Sequence, residues 1–321
     1  MLAYIVRKVL FSIVVLFVAS AVIFVLVSLS GDPLAELRTN PNVQQADIER
    51  LTAQYGLDQP LPVQYVIWLG DLLHGDLGTS FKQYASVNSI IAPRIIPTFL
   101  LVGSALAVTA ILAIPFGVYS AIKKYTLADN VGTFLSFLGF SMPIFWLGLL
   151  LQLVLGIYLA AWAGTRIFFV SGMTAVGDTG PIDLLQHLAL PVTALAVIEV
   201  ATLSRFQRSA MLDVMSSDYL RTARAKGLSQ WTVYLKHALR NAMIPSVTLL
   251  ALKVGLIFNG AVITESVFAW PGLGFLLVDS LNKGDYNVAR GILIISAALI
   301  VVFNLVADLA YSLVDPRVSY D

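Results

Sequence analysis

VLFSIVVLFVASAVIFVLVSL, residues 9–29, contains no charge, proline or glycine, and three serines are its only polar side chains. As a helix rising 1.5 Å per residue it reaches about 31 Å, the thickness of a bilayer's hydrocarbon core. Arg7 and Lys8 precede it and Ser28-Leu29-Ser30-Gly31 closes it, which is the outline of a secretory leader. A leader's apolar region is only about 7 to 15 residues long. The run therefore reads as a retained transmembrane helix.

The remainder of the chain has the same character. Of 321 residues, 58% are hydrophobic and 12% charged, and the mean hydropathy is +0.83; soluble domains carry about 25% charged residues. Further apolar stretches at about 97–122, 131–161, 186–212, 241–265 and 287–314 are long enough to span. The expected fold is an all-α polytopic membrane protein with six transmembrane helices. A formal net charge of +1 gives no field for nucleic acid, and zero cysteines exclude disulfides, thiolate metal sites and Fe–S clusters.

Residues 1–30 form the N-terminal transmembrane helix, and 31–96 an external loop region. Between Ser30 and Pro97 lie seven acids, four bases and six prolines, which suit a partly ordered loop. Residues 97–321 form a five-helix core with a cytoplasmic loop at 213–240. Orientation follows the positive-inside bias. Arg7, Lys8, Lys123, Lys124, Arg205, Arg208, Arg221, Arg224, Lys226, Lys236 and Arg240 share one side, while the loops after the third and fifth spans hold Arg166, Lys283 and Arg290. Both termini are then inside. Pro115-Phe116-Gly117 and Ser141-Met142-Pro143 interrupt spans, either as packing kinks or as breaks of the kind found in transport helices.

The loop contains a basic island, Asp218-Tyr219-Leu220-Arg221-Thr222-Ala223-Arg224-Ala225-Lys226-Gly227. Asp218 is a good N-cap, Lys226 suits the negative end of a short helix, and Gly227 can take the left-handed conformation that stops it. Ser229 offers a second N-cap, and Trp231, Tyr234, Leu235 and Ala238 recur on one helical stripe. Ala223 and Ala225 permit close approach of another surface, and Arg221, Arg224 and Lys226 suit acidic partners. The alternative is an ordinary solvated positive-inside loop.

From Arg221 to Pro245 the sequence resembles the cytoplasmic loop of ABC transporter permeases, whose EAA motif places a glycine four residues after its second alanine. That frame falls on Arg221-Thr222-Ala223, Arg224-Ala225-Lys226 and Gly227. Arginine replaces the motif's glutamate, and its later proline falls on Arg240, with Pro245 downstream. Asp218-Tyr219, RTARAKGLS and His237-Ala238-Leu239-Arg240-Asn241 narrow the resemblance to the dipeptide, oligopeptide and nickel branch. The same order runs along nearly the whole chain. It includes Gly31-Asp32-Pro33, Tyr55-Gly56-Leu57-Asp58 with Pro60, and Gly75-Asp76-Leu77-Gly78-Thr79-Ser80. Later come Ser141-Met142-Pro143 with Phe145-Trp146, Leu190-Pro191, Glu265-Ser266-Val267-Phe268, Trp270-Pro271-Gly272-Leu273-Gly274, and Asn304 through Asp308 to Asp315-Pro316-Arg317.

The resemblance implies a type I ABC importer permease fold in the cytoplasmic (inner) membrane of a prokaryote. The implied partners are a homologous second permease, two cytoplasmic ABC ATPases binding ATP and Mg, and an external substrate-binding protein. No cofactor belongs to this chain. Tyr219, Arg221, Thr222, Ala223, Arg224, Ala225, Lys226 and Gly227 would form the ATPase-coupling element, and peptides would be the cargo, with nickel chelates or short oligosaccharides as alternatives.

Glu199 and Lys253 sit inside apolar spans, so they face either a translocation path or each other in a structural pair. Asn259 and Glu265 are further path candidates. Asn259 and Asn304 also suit bonding between helices, and Glu265 adjoins the Trp270-Pro271-Gly272 turn, a gate, a binding-protein contact or an interfacial anchor. An intramembrane enzyme is a weaker reading. His74, His187 and His237 are the only histidines, none is mid-span beside a nucleophile, and HExxH is absent. GxxxxGK[ST] is absent too, so this chain has no Walker site. A lone secondary transporter would not need the cytoplasmic island.

Overall fold

The computed structural model describes the backbone of residues 2–39, 42–175, 177 and 180–314, and their side chains except at 2–5, 36–37, 251–260 and 307–314. Apart from one isolated bridge between Thr79 and Ser86, its regular structure is helical. Five helices among the described residues are long and apolar enough to cross a membrane: Val6–Leu29, Val87–Ile122, Ile144–Ala163, Pro181–Met215 and Tyr286–Val306. The chain divides into two compact units, residues 1–98 with 271–301, and 99–270 with 302–321.

In the first unit, α1 (Leu2–Leu29) is followed by α2 (Ala35–Thr39), α3 (Gln45–Gln54) and α4 (Leu61–Leu73). The acidic, proline-bearing segment is thus more ordered than a loop. Its amphipathic helices close over aromatics: Phe24 lies 5.4 Å from Tyr65 and 5.5 Å from Trp68, and Ser20 shares a 2.9 Å hydrogen bond with the Tyr65 hydroxyl. The turn from Gly78 to Val87, bonded through Val87 N–H to Gly78 C=O, starts α5 (Val87–Ile122) ten residues before the expected span.

The span expected at 131–161 requires correction. Residues 127–141 form α6 (Leu127–Ser141), which stops at Met142, whose ψ of 129° is extended. The residue before a proline is pushed out of the helical region, so Met142-Pro143 breaks the chain rather than kinking it. A new helix follows, made of α7 (Ile144–Leu151), a π-helical stretch Gln152–Tyr158 and α8 (Leu159–Ala163), which Gly164 ends at φ +69°. α9 (Pro181–Met215) keeps Pro191 inside it.

After α9 come α10 (Asp218–Ala225), a π-helical stretch Thr232–Ala238, and α11 (Leu239–Val267), which occupies the fifth expected span. α12 (Leu273–Asn282), an apolar helix that was not foreseen, belongs to the first unit with the start of α13 (Tyr286–Val314). Within the second unit α9 packs along α11, α6 and α7. Gly117 allows that closeness on the α5 side: a methyl there would stand 2.6 Å from the Ser204 carbonyl oxygen.

Candidate functional site

The segment 213–240 packs against the ends of α5, α9 and α11 in the second unit. α9 ends at Met215, and Ser217, at φ −74° and ψ 148°, is the residue before α10. The expected cap, Asp218, is instead the first helical residue, where its charge still favours the helix's positive end; the Ser217 hydroxyl donates to Val214 C=O at 2.6 Å. α10 stops at Lys226, and Gly227 takes φ +76°. Its N–H donates to Arg224 C=O at 3.0 Å, and Leu228 N–H reaches Ala223 C=O at 3.4 Å, closing the helix end.

Leu220 anchors this helix. It is fully buried with Val118, Met211, Val233, Ala238 and Ala242, side chains that come from α5, α9, the π-stretch and α11. Tyr219 adds a polar tie, its hydroxyl accepting from Asn241 Nδ2 at 2.8 Å. The opposite side is open: Arg221, Thr222, Arg224, Ala225 and Lys226 are exposed. Arg221 and Asp218, 3.6 Å apart, are 83% and 95% exposed, so their pairing fixes nothing. Ala223 is half-buried against the Leu220 cluster, so its small size serves packing within the chain, and Ala225 is the small residue presented outward.

The second half of the segment differs from the sequence pattern. Ser229 Oγ does accept from Thr232 N–H, at 3.3 Å. The stripe of Trp231, Tyr234, Leu235 and Ala238 is not buried as a unit, since Val233 and Ala238 are buried whereas Trp231 is 68% and Leu235 49% exposed. An i→i+5 ladder over 232–238 widens the turns, so a 3.6-residue period misassigns the faces.

Two residues that the sequence pattern did not single out together hold this region. Asp129, buried at the start of α6, accepts from Arg208 Nε at 2.9 Å and Nη2 at 2.8 Å, from Ser120 Oγ at 2.5 Å and from Tyr125 N–H at 2.9 Å. The Arg208 hydrogen bonds, joined by those of Ser120 and Tyr125, outweigh burial and hold the Asp129 carboxyl well below the usual carboxylate range. The fork clamps α6 to α9 about two turns before α9 ends. The available signal was an acid just after Lys123-Lys124, on the side where cations gather.

The intramembrane candidates do not assemble into one site. Glu199 is half-buried on α9 and Glu265 is fully buried on α11; the side chains of Lys253 and Asn259, like Asp308, lie outside the described residues, as does the whole of 315–317. Asn304 is exposed. Trp270 is a core residue, not an interfacial anchor: it is fully buried with Leu101, Ala105, Leu188, Val192 and Leu195. Among the described residues no three metal-ligating side chains converge.

Residues 113–320 match the model of the binding-protein-dependent transport system inner membrane component, and residues 1–103 match the N-terminal model of such membrane components. The chain belongs to this family. It is similar to the oligopeptide transport system permease protein AppB of Bacillus subtilis, 42% identical over 323 residues and the full length of both chains. The dipeptide transport system permease protein DppB of Escherichia coli is 37% identical over 90% of each chain. Among solved structures, a chain of the inward-facing MetNI methionine ABC transporter superposes with a TM-score of 0.56 at 14% identity, over 70% of this chain and 96% of that one. That likeness gives the fold alone; the family match and the curated relatives make this chain a multi-pass membrane subunit, the permease, of an ABC transporter.

Proposed function

We propose that this subunit lines the path by which an ATP-driven importer carries short peptides across the cytoplasmic membrane of a prokaryote. It has six spans with both ends inside, and works with a homologous second permease, two ABC ATPases and an external substrate-binding protein. Peptide cargo is the reading favoured by relatives named for oligopeptide and dipeptide transport.

The observation that carries the mechanism is the division of α10 into a buried anchor at Leu220 and an exposed basic, small-residue side. That side fits a cleft of a partner ATPase. Closure of the ATPases pushes α10, and the Leu220 cluster passes the displacement to α5, α9 and α11, whose tilt exchanges inward for outward access. The lever works because packed cores move as blocks rather than deform. The Asp129–Arg208 clamp carries α6 along with α9.

The test is uptake of a labelled dipeptide and a labelled pentapeptide into proteoliposomes holding the complete complex. The expected result is accumulation that needs ATP and the binding protein together. Equal accumulation without ATP would overturn the reading.

A further inference from the structure

Within the first unit a cavity of about 1060 Å³ opens beside α1, α4 and the start of α13, large enough for a small ligand. Arg290 forms part of its wall. The guanidinium lies 4.4 Å from the centre of the Phe24 ring and 5.6 Å from that of Trp68, so two aromatic faces fix it. Its hydrogen bonding is poor: Nη2 reaches Ser28 Oγ only at 3.5 Å, and Nε is buried without a partner. Among the described residues no carboxylate pairs with it. Arg38, the other cation of the wall, is already bonded to Asp32 at 2.7 Å.

The cavity's unpaired anions are exposed. Asp71 has no side-chain hydrogen bond or ion pair among the described residues, and Asp58 accepts only from its neighbour Gln59, at 3.1 Å. One uncompensated cation held against two aromatic rings and two uncompensated carboxylates facing solvent make a dipolar cavity. A purely anionic ligand meets the carboxylates with like charge, and a purely cationic one meets Arg290; a ligand carrying both signs is favoured by both.

We propose that this cavity binds a small zwitterion with a free α-carboxylate and α-ammonium, a short peptide, the carboxylate on Arg290 and the ammonium toward Asp58 and Asp71. The ligand class rests on the peptide-import reading, and the cavity's own charges deepen that reading by giving the two ends of the peptide a site on this chain. A guanidinium fork matches a carboxylate with two parallel hydrogen bonds, which an ammonium cannot.

The probe is radiolabelled alanyl-alanine, titrated onto the full complex in lipid nanodiscs without the external binding protein. The expected result is saturable binding that weakens about 10- to 100-fold when the peptide is C-terminally amidated or when Arg290→Lys replaces the fork. Asp58→Asn with Asp71→Asn should weaken alanyl-alanine but leave N-acetyl-alanyl-alanine unchanged. Equal affinity for acid and amide on the unaltered complex, which needs no variant to fold, would overturn the proposal, as would absence of saturation up to about 10 mM, an affinity too weak for a site. Import is measured in parallel: Arg290-dependent binding without uptake removes the peptide-import reading and keeps the site, and uptake without binding does the reverse.

Discussion

Gly227 is the position where backbone conformation and coupling meet, and its replacement separates them. The residue sits at φ +76° with no atom within 4 Å of where a Cβ would stand. Gly227→Ala therefore meets no clash, and its cost is the left-handed backbone alone, about 1–2 kcal/mol. Gly227→Asn should cost less, because asparagine tolerates that region. Gly227→Pro is different in kind. Proline fixes φ near −65°, about 140° from the native value, and removes the N–H that donates to Arg224. The helix end cannot close, and the loss is about 3 kcal/mol or more, a factor above 100 in the population of intact α10. Insertion should survive, since α10 lies outside the five candidate spans. The assay is the ratio of peptide taken up to ATP hydrolysed in proteoliposomes. The expected order is wild type, Asn, Ala and then, far below, Pro. A Gly227→Pro complex with the wild-type ratio would refute the lever.

Leu220→Ala empties a fully buried site and should cost about 2–5 kcal/mol, seen as a lower melting temperature and a lower uptake-to-hydrolysis ratio, because α10 loses its anchor. Asp129→Asn leaves Arg208 facing a neutral amide and should cost about 3–5 kcal/mol, with Arg208→Gln costing a similar amount and the double variant less than their sum. The Asp129 carboxyl is depressed when folded, so its contribution is complete above the unfolded value of about 3.9 and fades as pH falls below it; melting curves from pH 7 down to 3 should show a drop that Asp129→Asn lacks. Gly117→Val drives a side chain against the Ser204 carbonyl and should reduce yield and thermal stability, whereas the same change at Gly103, with nothing within 4 Å of its Cβ position, should be tolerated.

The features legible in the sequence were those with a one-dimensional signature. The charge-free run at 9–29 and the small basic island at 218–227 announce a span and an exposed helix, because hydropathy and capping are local. What was missed depends on partners far along the chain. Asp129 and Arg208 are 79 residues apart, and neither looks unusual until α6 and α9 pack. Trp270 reads as an interfacial aromatic and lies in the core because Leu101, Leu188 and Leu195 close over it. Met142-Pro143 was visible as a breaker, but whether a helix kinks or stops depends on what the neighbouring helices pay for in packing. The π-stretch at 232–238 left no mark in composition, so the faces of that helix were read with the wrong period.

That same stretch has a consequence for how this chain tolerates change in length. A π-turn holds one residue more than the α-turn it replaces, so deleting a single residue between 232 and 238 need not shorten the helix's path. The ladder can revert to i→i+4 while α11 stays seated and Trp231, the Gly227 turn and α10 keep their orientation, whereas the same deletion in a purely α-helical stretch would rotate everything before it by about 100° about the axis. One residue of slack in this loop thus protects the face that α10 shows to its surroundings against a one-residue deletion.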